Sequence, residues 1–348
     1  MRVLVTGHDG YIGRVLLPLM RRAGHHVTGL DSYLFEGCTF GPEPPDVPAI
    51  RVDLRDLDPD ALEPFGAVIH LAAISNDPLG DLDPKITYAV NHQASVALAR
   101  AAKAAGVSRF LFSSSCSLYG ASGGDAMLTE RAEFRPITPY GESKVLVERD
   151  VTELADEDFT PTFLRNATAY GVSPRLRTDI VVNDLVGHAF TSGDVLIKSD
   201  GTAWRPLVHV EDIARAFLSI LEAPRDAVHN QAFNIGRNEE NYRIREVAEM
   251  VADAVPGSRV TFAEGGEPDA RTYRVDFSKL TAHVPMFRPR WTVRGGVEQL
   301  ARAYRNYDLT ADEFLGPRFI RLKRINERLR EGSLDASLRP SSTVGVTA

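Results

Sequence analysis

Tyr140 and Lys144, in the run Tyr140-Gly141-Glu142-Ser143-Lys144, stand at i and i+4 and share one face wherever this segment is helical. An ammonium beside a phenol stabilises the phenolate and brings the tyrosine toward the pH range in which it exchanges a proton with an alcohol. Such a pair is common by chance, so its surroundings matter. Upstream lies Ser113-Ser114-Ser115-Cys116-Ser117-Leu118-Tyr119-Gly120, a cluster of hydroxyls that closes an apolar run. If that run is a strand of an open α/β sheet, its C-terminal edge is where ligands bind. A second constellation opens the chain: Gly7-His8-Asp9-Gly10-Tyr11-Ile12-Gly13 follows one apolar run and precedes a helical pattern. Glycines at such a junction let a dinucleotide's diphosphate approach bare backbone at a helix N-terminus. Asp31, which ends the next apolar run, is placed to accept hydrogen bonds from an adenosine ribose and to repel a 2′-phosphate. Between Asp31 and Gly37 there is no Lys or Arg to hold that phosphate, so NAD is expected in preference to NADP.

The elements that must position these groups are legible as an alternation of short β-branched runs with helical patterns, the signature of a parallel sheet covered on both faces. Strands are expected at 2–6, 26–30, 50–52, 67–71, 109–113 and 161–165, and helices at 11–23, 85–105 and from Thr138-Pro139 to about 155. Beyond Tyr170 the alternation is broken by Gly171, Pro174, Gly187, Gly193 and Gly201, so a smaller lobe is expected from there. Helices at 211–222, 243–255 and 292–307 and a strand at 232–235 that returns to the sheet complete the pattern. The fold class is therefore α/β: a Rossmann-type doubly wound parallel sheet over 1–170, with 206–236 returning to it, and a smaller C-terminal α/β substrate lobe over 171–338. Phe319, Leu322, Ile325 and Leu329 recur at helical spacing. Arg318, Arg321, Lys323, Arg324, Arg328 and Arg330 on the other faces read as a solvated basic surface, and 339–348 as a tail.

With 348 residues, 43% of them hydrophobic and 25% charged, the chain can bury a sizeable core. A formal net charge of -7 provides no field to attract nucleic acid or an anionic membrane. The short apolar run at the N-terminus lacks the length of a signal peptide or a membrane span, so the cytosol is the expected compartment. Cys38 and Cys116 are far apart and without metal-ligand spacing; free thiols and no metal site are expected.

The three-and-three glycine spacing, followed by Asp31, Asp53-Leu54, His70-Leu71-Ala72-Ala73 and Asn91, resembles the extended short-chain dehydrogenase/reductases, in particular their NAD-dependent nucleotide-sugar epimerases and dehydratases. The resemblance implies that Gly7, Gly10, Tyr11, Ile12 and Gly13 hold the NAD diphosphate and Asp31 the ribose. It places Asp53 and Leu54 at the adenine, with Leu71, Ala72, Ala73, Asn91 and Ser113 along the channel. Position by position, Ser115 orients the substrate, Tyr140 is the acid/base, and Lys144 tunes it and binds the nicotinamide ribose.

The same resemblance puts Arg205, in Gly201-Thr202-Ala203-Trp204-Arg205-Pro206, on the substrate diphosphate, with Arg271 as a second phosphate ligand and Ser117, Thr168 and Asn183 as further substrate contacts. Thr168 replaces an asparagine common in the family, and Glu267 stands near a place where some epimerases carry arginine. The dehydratases have Asp and Glu after the serine; here Cys116 and Ser117 occupy those positions, and Cys116 reads as a buried small thiol. A nucleoside-diphosphate-sugar 4-epimerase is the leading expectation, then a 4-ketoreductase, then a dehydratase or decarboxylase, then a nonenzymatic NAD-binding regulator. Arg175 and Arg177 could meet a sugar carboxylate but are expected to be solvated. Family members commonly pair through the helices at 85–105 and 139–155, so a homodimer is expected.

Overall fold

Val3, Leu4 and Val5, all inaccessible to solvent, make Arg2–Thr6 (β1) the central strand of a seven-stranded sheet. The computed structural model describes residues 1–75, 83–120, 122, 126–265, 269 and 271–341. In chain order the further strands of three or more residues are β2 (His26–Asp31), β3 (Ala49–Arg51), β4 (Ala67–His70), β5 (Arg109–Ser115), β6 (Thr160–Asn166), β7 (Thr168–Tyr170), β8 (Asp194–Ile197), β9 (Trp204–His209), β10 (Gln231–Ile235), β11 (Asn241–Arg243) and β12 (Arg259–Phe262). The main sheet runs β10-β6-β5-β4-β1-β2-β3 with every pair parallel. Strand order reverses between β1 and β4, which opens a crevice beyond their C-terminal ends.

The helices that frame the sheet, the cavity and the lobe are α1 (Gly13–Arg22), α2 (Pro84–Tyr88), α3 (Ala94–Ala104), α4 (Pro139–Thr152), α5 (Val181–Ser192), α6 (Val210–Glu222), α7 (Ile244–Ala254), α8 (Val293–Asn306) and α9 (Arg321–Arg330). On one face of the sheet Leu16, Leu17 and Met20 of α1 pack with Phe217 and Ile220 of α6. On the other, Val96, Leu98 and Ala99 of α3 and Val147 and Val151 of α4 cover Phe110 and Phe112 of β5. Thr138 caps α4, its Oγ1 accepting from the Gly141 N–H at 3.2 Å, which fixes where the Tyr140 helix begins. The lobe has its own core around Tyr170, Val186, Val247, Leu300 and Phe314.

Several boundaries differ from expectation. The helix anticipated at 85–105 is interrupted by a π-helical turn, Ala89–Gln93, which turns Asn91 onto Ile74. β5 runs on to Ser115 because β6 pairs with it that far, Ser115 opposite Asn166. Pro206–His209 does not belong to the main sheet: β9 pairs with β7 and β11 in a three-stranded sheet of the lobe, and the return begins with α6 and β10. The basic face of the last helix is only partly solvated, since Arg321 is buried. The expected tail is tied down as far as Ser341, whose N–H bonds the Ser333 carbonyl; the rest of it, 342–348, lies outside the described residues, as does Glu267.

Candidate active site

A cavity of about 850 Å³ fills the crevice at the C-terminal ends of the central strands. Its floor is the glycine loop. Gly7 has φ +68°, and a Cβ there would lie 2.6 Å from the Ala72 amide nitrogen, so the β1 and β4 termini approach closely only because the residue is glycine. Gly7, Gly10, Tyr11, Ile12 and Gly13 all line the cavity. Tyr11 is pinned from the lobe, its hydroxyl donating to the Gly171 carbonyl at 2.6 Å. Beyond the loop, Asp31 accepts from the N–H groups of Tyr33 (2.8 Å) and Asp9 (3.0 Å) while still facing the cavity. Burial pushes its carboxyl above the usual range, partly offset by the Tyr33 N–H. Asp53 and Leu54 close this end, with the Asp53 carboxylate held by Arg55. Leu71, Ala72 and Ala73 form the wall leading inward.

At the inner end Ser113, Ser115, Ser117, Tyr140 and Lys144 face the same space. Lys144 is almost completely buried; its Nζ donates to the Ser113 carbonyl at 2.8 Å and lies 5.5 Å from the centre of the Tyr140 ring. Desolvation pushes its ammonium down to about 7, with Glu148 one turn further along acting against it. Ser115 Oγ lies 3.1 Å from both the Ser117 hydroxyl and the Ser117 N–H. Cys116 faces away: its thiol contacts the Arg165 carbonyl at 3.2 Å, does not line the cavity, and is pushed up by burial.

The lobe supplies Thr168, Arg205 and Arg271 to the remaining wall. Asp269 accepts from both arginines, at 2.5 Å from Arg205 and 3.0 Å from Arg271, and so brings two cations to one point. Two expected contact residues stand behind the wall instead. Asn91 accepts from the Ile74 N–H (2.8 Å) and donates to the Ile74 carbonyl (2.9 Å), shaping the loop after β4. Asn183 bonds Gly171 and the Arg177 carbonyl and is fully buried. Arg175 and Arg177 are not solvated as expected. Arg175 pairs with Asp9 and Glu43, Arg177 with Asp179, because the polypeptide after β7 folds back over the glycine loop. Asp269, Arg321, Ser75 and Lys198 also line the cavity, and only their position in the folded chain shows it.

These residues fit a dinucleotide: the cavity is continuous from Asp31 past the bare backbone of Gly7, Gly10 and Gly13 to Lys144, and Arg321 on its wall has a buried nitrogen without a partner. The sequence profile of the NAD dependent epimerase/dehydratase family matches residues 3–236. The chain belongs to that family. A UDP-glucose 4-epimerase of Corynebacterium glutamicum is 30% identical over 266 residues, 72% of this chain and 79% of the relative. Among solved structures, MoeE5 in complex with UDP-glucuronic acid and NAD is similar at 29% identity and TM-score 0.76, covering 88% of this chain and 99% of that one. The UDP-glucose 4-epimerase of Thermus thermophilus in complex with NAD is similar at 26% identity and TM-score 0.74, with the same coverage. NAD is thus the cofactor of the family to which this chain belongs. No helix among the described residues is long and apolar enough to cross a membrane, and no cluster among them could hold a metal ion.

The Asp31 environment leads to a direct expectation. If Asp31 accepts from the cofactor ribose, Asp31→Ala is expected to weaken NAD binding and to narrow the preference over NADP, because an acceptor and a charge that repels a 2′-phosphate are lost together. Parallel titrations of both cofactors test this; an identical preference in variant and parent refutes the role of Asp31.

Proposed function

We propose that this chain is an NAD-dependent nucleoside-diphosphate-sugar 4-epimerase. The observation that carries the reading is the convergence, in one cavity, of a hydroxyl, a phenol and an ammonium from β5 and α4 with two arginines gathered on Asp269 from the lobe. Relatives named as UDP-glucose 4-epimerases support it. Bound NAD supplies the reversible oxidation of the sugar C4. The chain's own residues handle the proton and the geometry. Tyr140 takes the proton of the C4 hydroxyl and later returns it, Ser115 Oγ hydrogen-bonds the C4 oxygen, and Lys144 stabilises the phenolate and holds the nicotinamide ribose. Arg205 and Arg271 grip the diphosphate, a task suited to guanidinium forks, while the sugar turns to present its other face. A dehydratase needs an acid and a base beside Ser115; a buried thiol and Ser117 stand there instead.

The decisive experiment identifies any cofactor released on denaturing the purified protein and the products formed from a panel of nucleotide sugars. Retained NAD and a product isomeric with its substrate are expected. Net consumption of reduced cofactor would make the chain a ketoreductase, and loss of water a dehydratase.

The chain is further read as a homodimer through α3 and α4. Val96, Val147 and Val151, which their place on these two helices offers to a partner, pack into the chain's own core, leaving Ala97 exposed and Val145 and Leu146 half-buried for that role. Small residues allow two copies to approach across a two-fold axis. Light scattering is expected to give twice the 38.2 kDa chain mass, reverting to one chain in Ala97→Arg. A single-chain mass that persists as concentration rises rules the dimer out.

A further inference from the structure

Arg321 opens α9, far outside the stretch matched by the family profile, yet lies on the wall of the cofactor cavity with 3% of its surface exposed. Its guanidinium sits 3.8 Å over the Phe35 ring. Nη2 makes one long contact, 3.4 Å to the Arg175 carbonyl, and Nη1 is buried with no partner. The carboxylate that acts on Arg321, Asp179, is already engaged by Arg177. Among the described residues none forms an ion pair with Arg321. A buried cation without a counter-ion is costly, and burial correspondingly pushes this guanidinium down. Nη1 therefore keeps an unused donor next to the cavity wall.

The neighbours of Arg321 indicate the class of ligand such a cation suits. Arg175, whose carbonyl it touches, also grips Asp9 of the glycine loop, and Ser173 donates to the Tyr11 carbonyl of the same loop at 2.8 Å. We propose that Arg321 is a ligand of the cofactor diphosphate, carried across the cleft by the C-terminal segment to face the glycine loop. The segment is tied to the loops that follow β2, β3 and β4. Arg328 donates to the Tyr33 and Leu34 carbonyls after β2, and Arg55 donates to the Ser337 carbonyl. Arg339 pairs with Asp56, and Ile325, Leu334 and Leu338 bury themselves against Ile74. The substrate also carries a diphosphate, but Arg205 and Arg271 converge elsewhere on the wall, so Arg321 belongs to the cofactor. This assignment concerns cofactor binding and stands whichever sugar reaction the enzyme performs.

The test uses the full chain, stripped of cofactor and titrated separately with NAD, ADP-ribose, adenosine and UDP. Arg321→Met is expected to raise Kd for NAD and ADP-ribose roughly 10- to 100-fold, the usual worth of a hydrogen bond to a charged group. Adenosine and UDP should bind as before, and Arg321→Lys should recover part of the loss. Without cofactor the Met variant should melt no lower than the parent, because it has shed an unpaired buried charge. Two results overturn the proposal: an unchanged Kd for NAD, or a loss confined to UDP. If the Met variant does not fold, Arg321→Lys decides through the ratio of ADP-ribose to adenosine affinity, and a ratio equal to the parent's overturns the assignment.

Discussion

Replacing Tyr140 with Phe is expected to cut turnover at least about a hundredfold while leaving fold and NAD binding in place, since only the proton relay is removed. The geometry makes this a clean substitution. Tyr140 stands in the first turn of α4, capped by Thr138, and the aromatic ring that faces Lys144 is retained in Phe. Steady-state rates on a nucleotide sugar accepted by the parent, with NAD content measured on the same samples, provide the check. A variant as active as the parent would remove Tyr140 from the chemistry.

Under the proposed mechanism Lys144→Met should cut turnover to a similar degree or more, because that reading gives Lys144 both the support of the phenolate and a contact to the nicotinamide ribose. Its effect on stability runs the opposite way. Burial holds the Lys144 ammonium at about 7 against an ordinary 10.5, so between those values the folded chain has released a proton that the unfolded chain keeps. Stability of the cofactor-free protein therefore rises with pH across that window, and the full penalty of burying the charge applies below it. Lys144→Met escapes that penalty. At about 1.4 kcal/mol per pKa unit the gain is a few kcal/mol below neutral pH, less about 1 kcal/mol for the lost bond to the Ser113 carbonyl, and it shrinks toward alkaline pH. Urea unfolding of parent and variant near pH 6 and near pH 9 measures the difference. A variant less stable than the parent at both would show that Lys144 is a structural residue.

The shifted ammonium of Lys144 is one of several such groups in this cavity. Lys144, Asp31 and Arg321 all have buried ionisable groups shifted against their charged forms. Burial is the leading cause of each shift, and such shifts concentrate in functional clefts.

Features set by local spacing are legible in the chain before it folds. β1 falls at Arg2–Thr6 as expected, because a run of β-branched and apolar residues ending at glycine has one economical conformation beside a helix. Tyr140 and Lys144 share a face because helical geometry puts i and i+4 together, and Thr138-Pro139 announces that helix. What each arginine does is settled only by the fold. Arg175, Arg177, Arg205, Arg271 and Arg321 are the same residue type in stretches of similar polarity, and no local pattern separates a buried guanidinium from a solvated one. Their fates depend on partners remote in the chain: Asp9 reaches Arg175, Asp269 joins Arg205 to Arg271, and Phe35 lies under Arg321. Motif alone likewise assigns Asn91 and Asn183 to the ligand, but the folded chain uses them to bond Ile74 and Gly171 behind the cavity wall. Local spacing fixes backbone conformation and side-chain face, whereas burial of a polar group is set by whichever distant segment covers it and by whether that segment brings a partner.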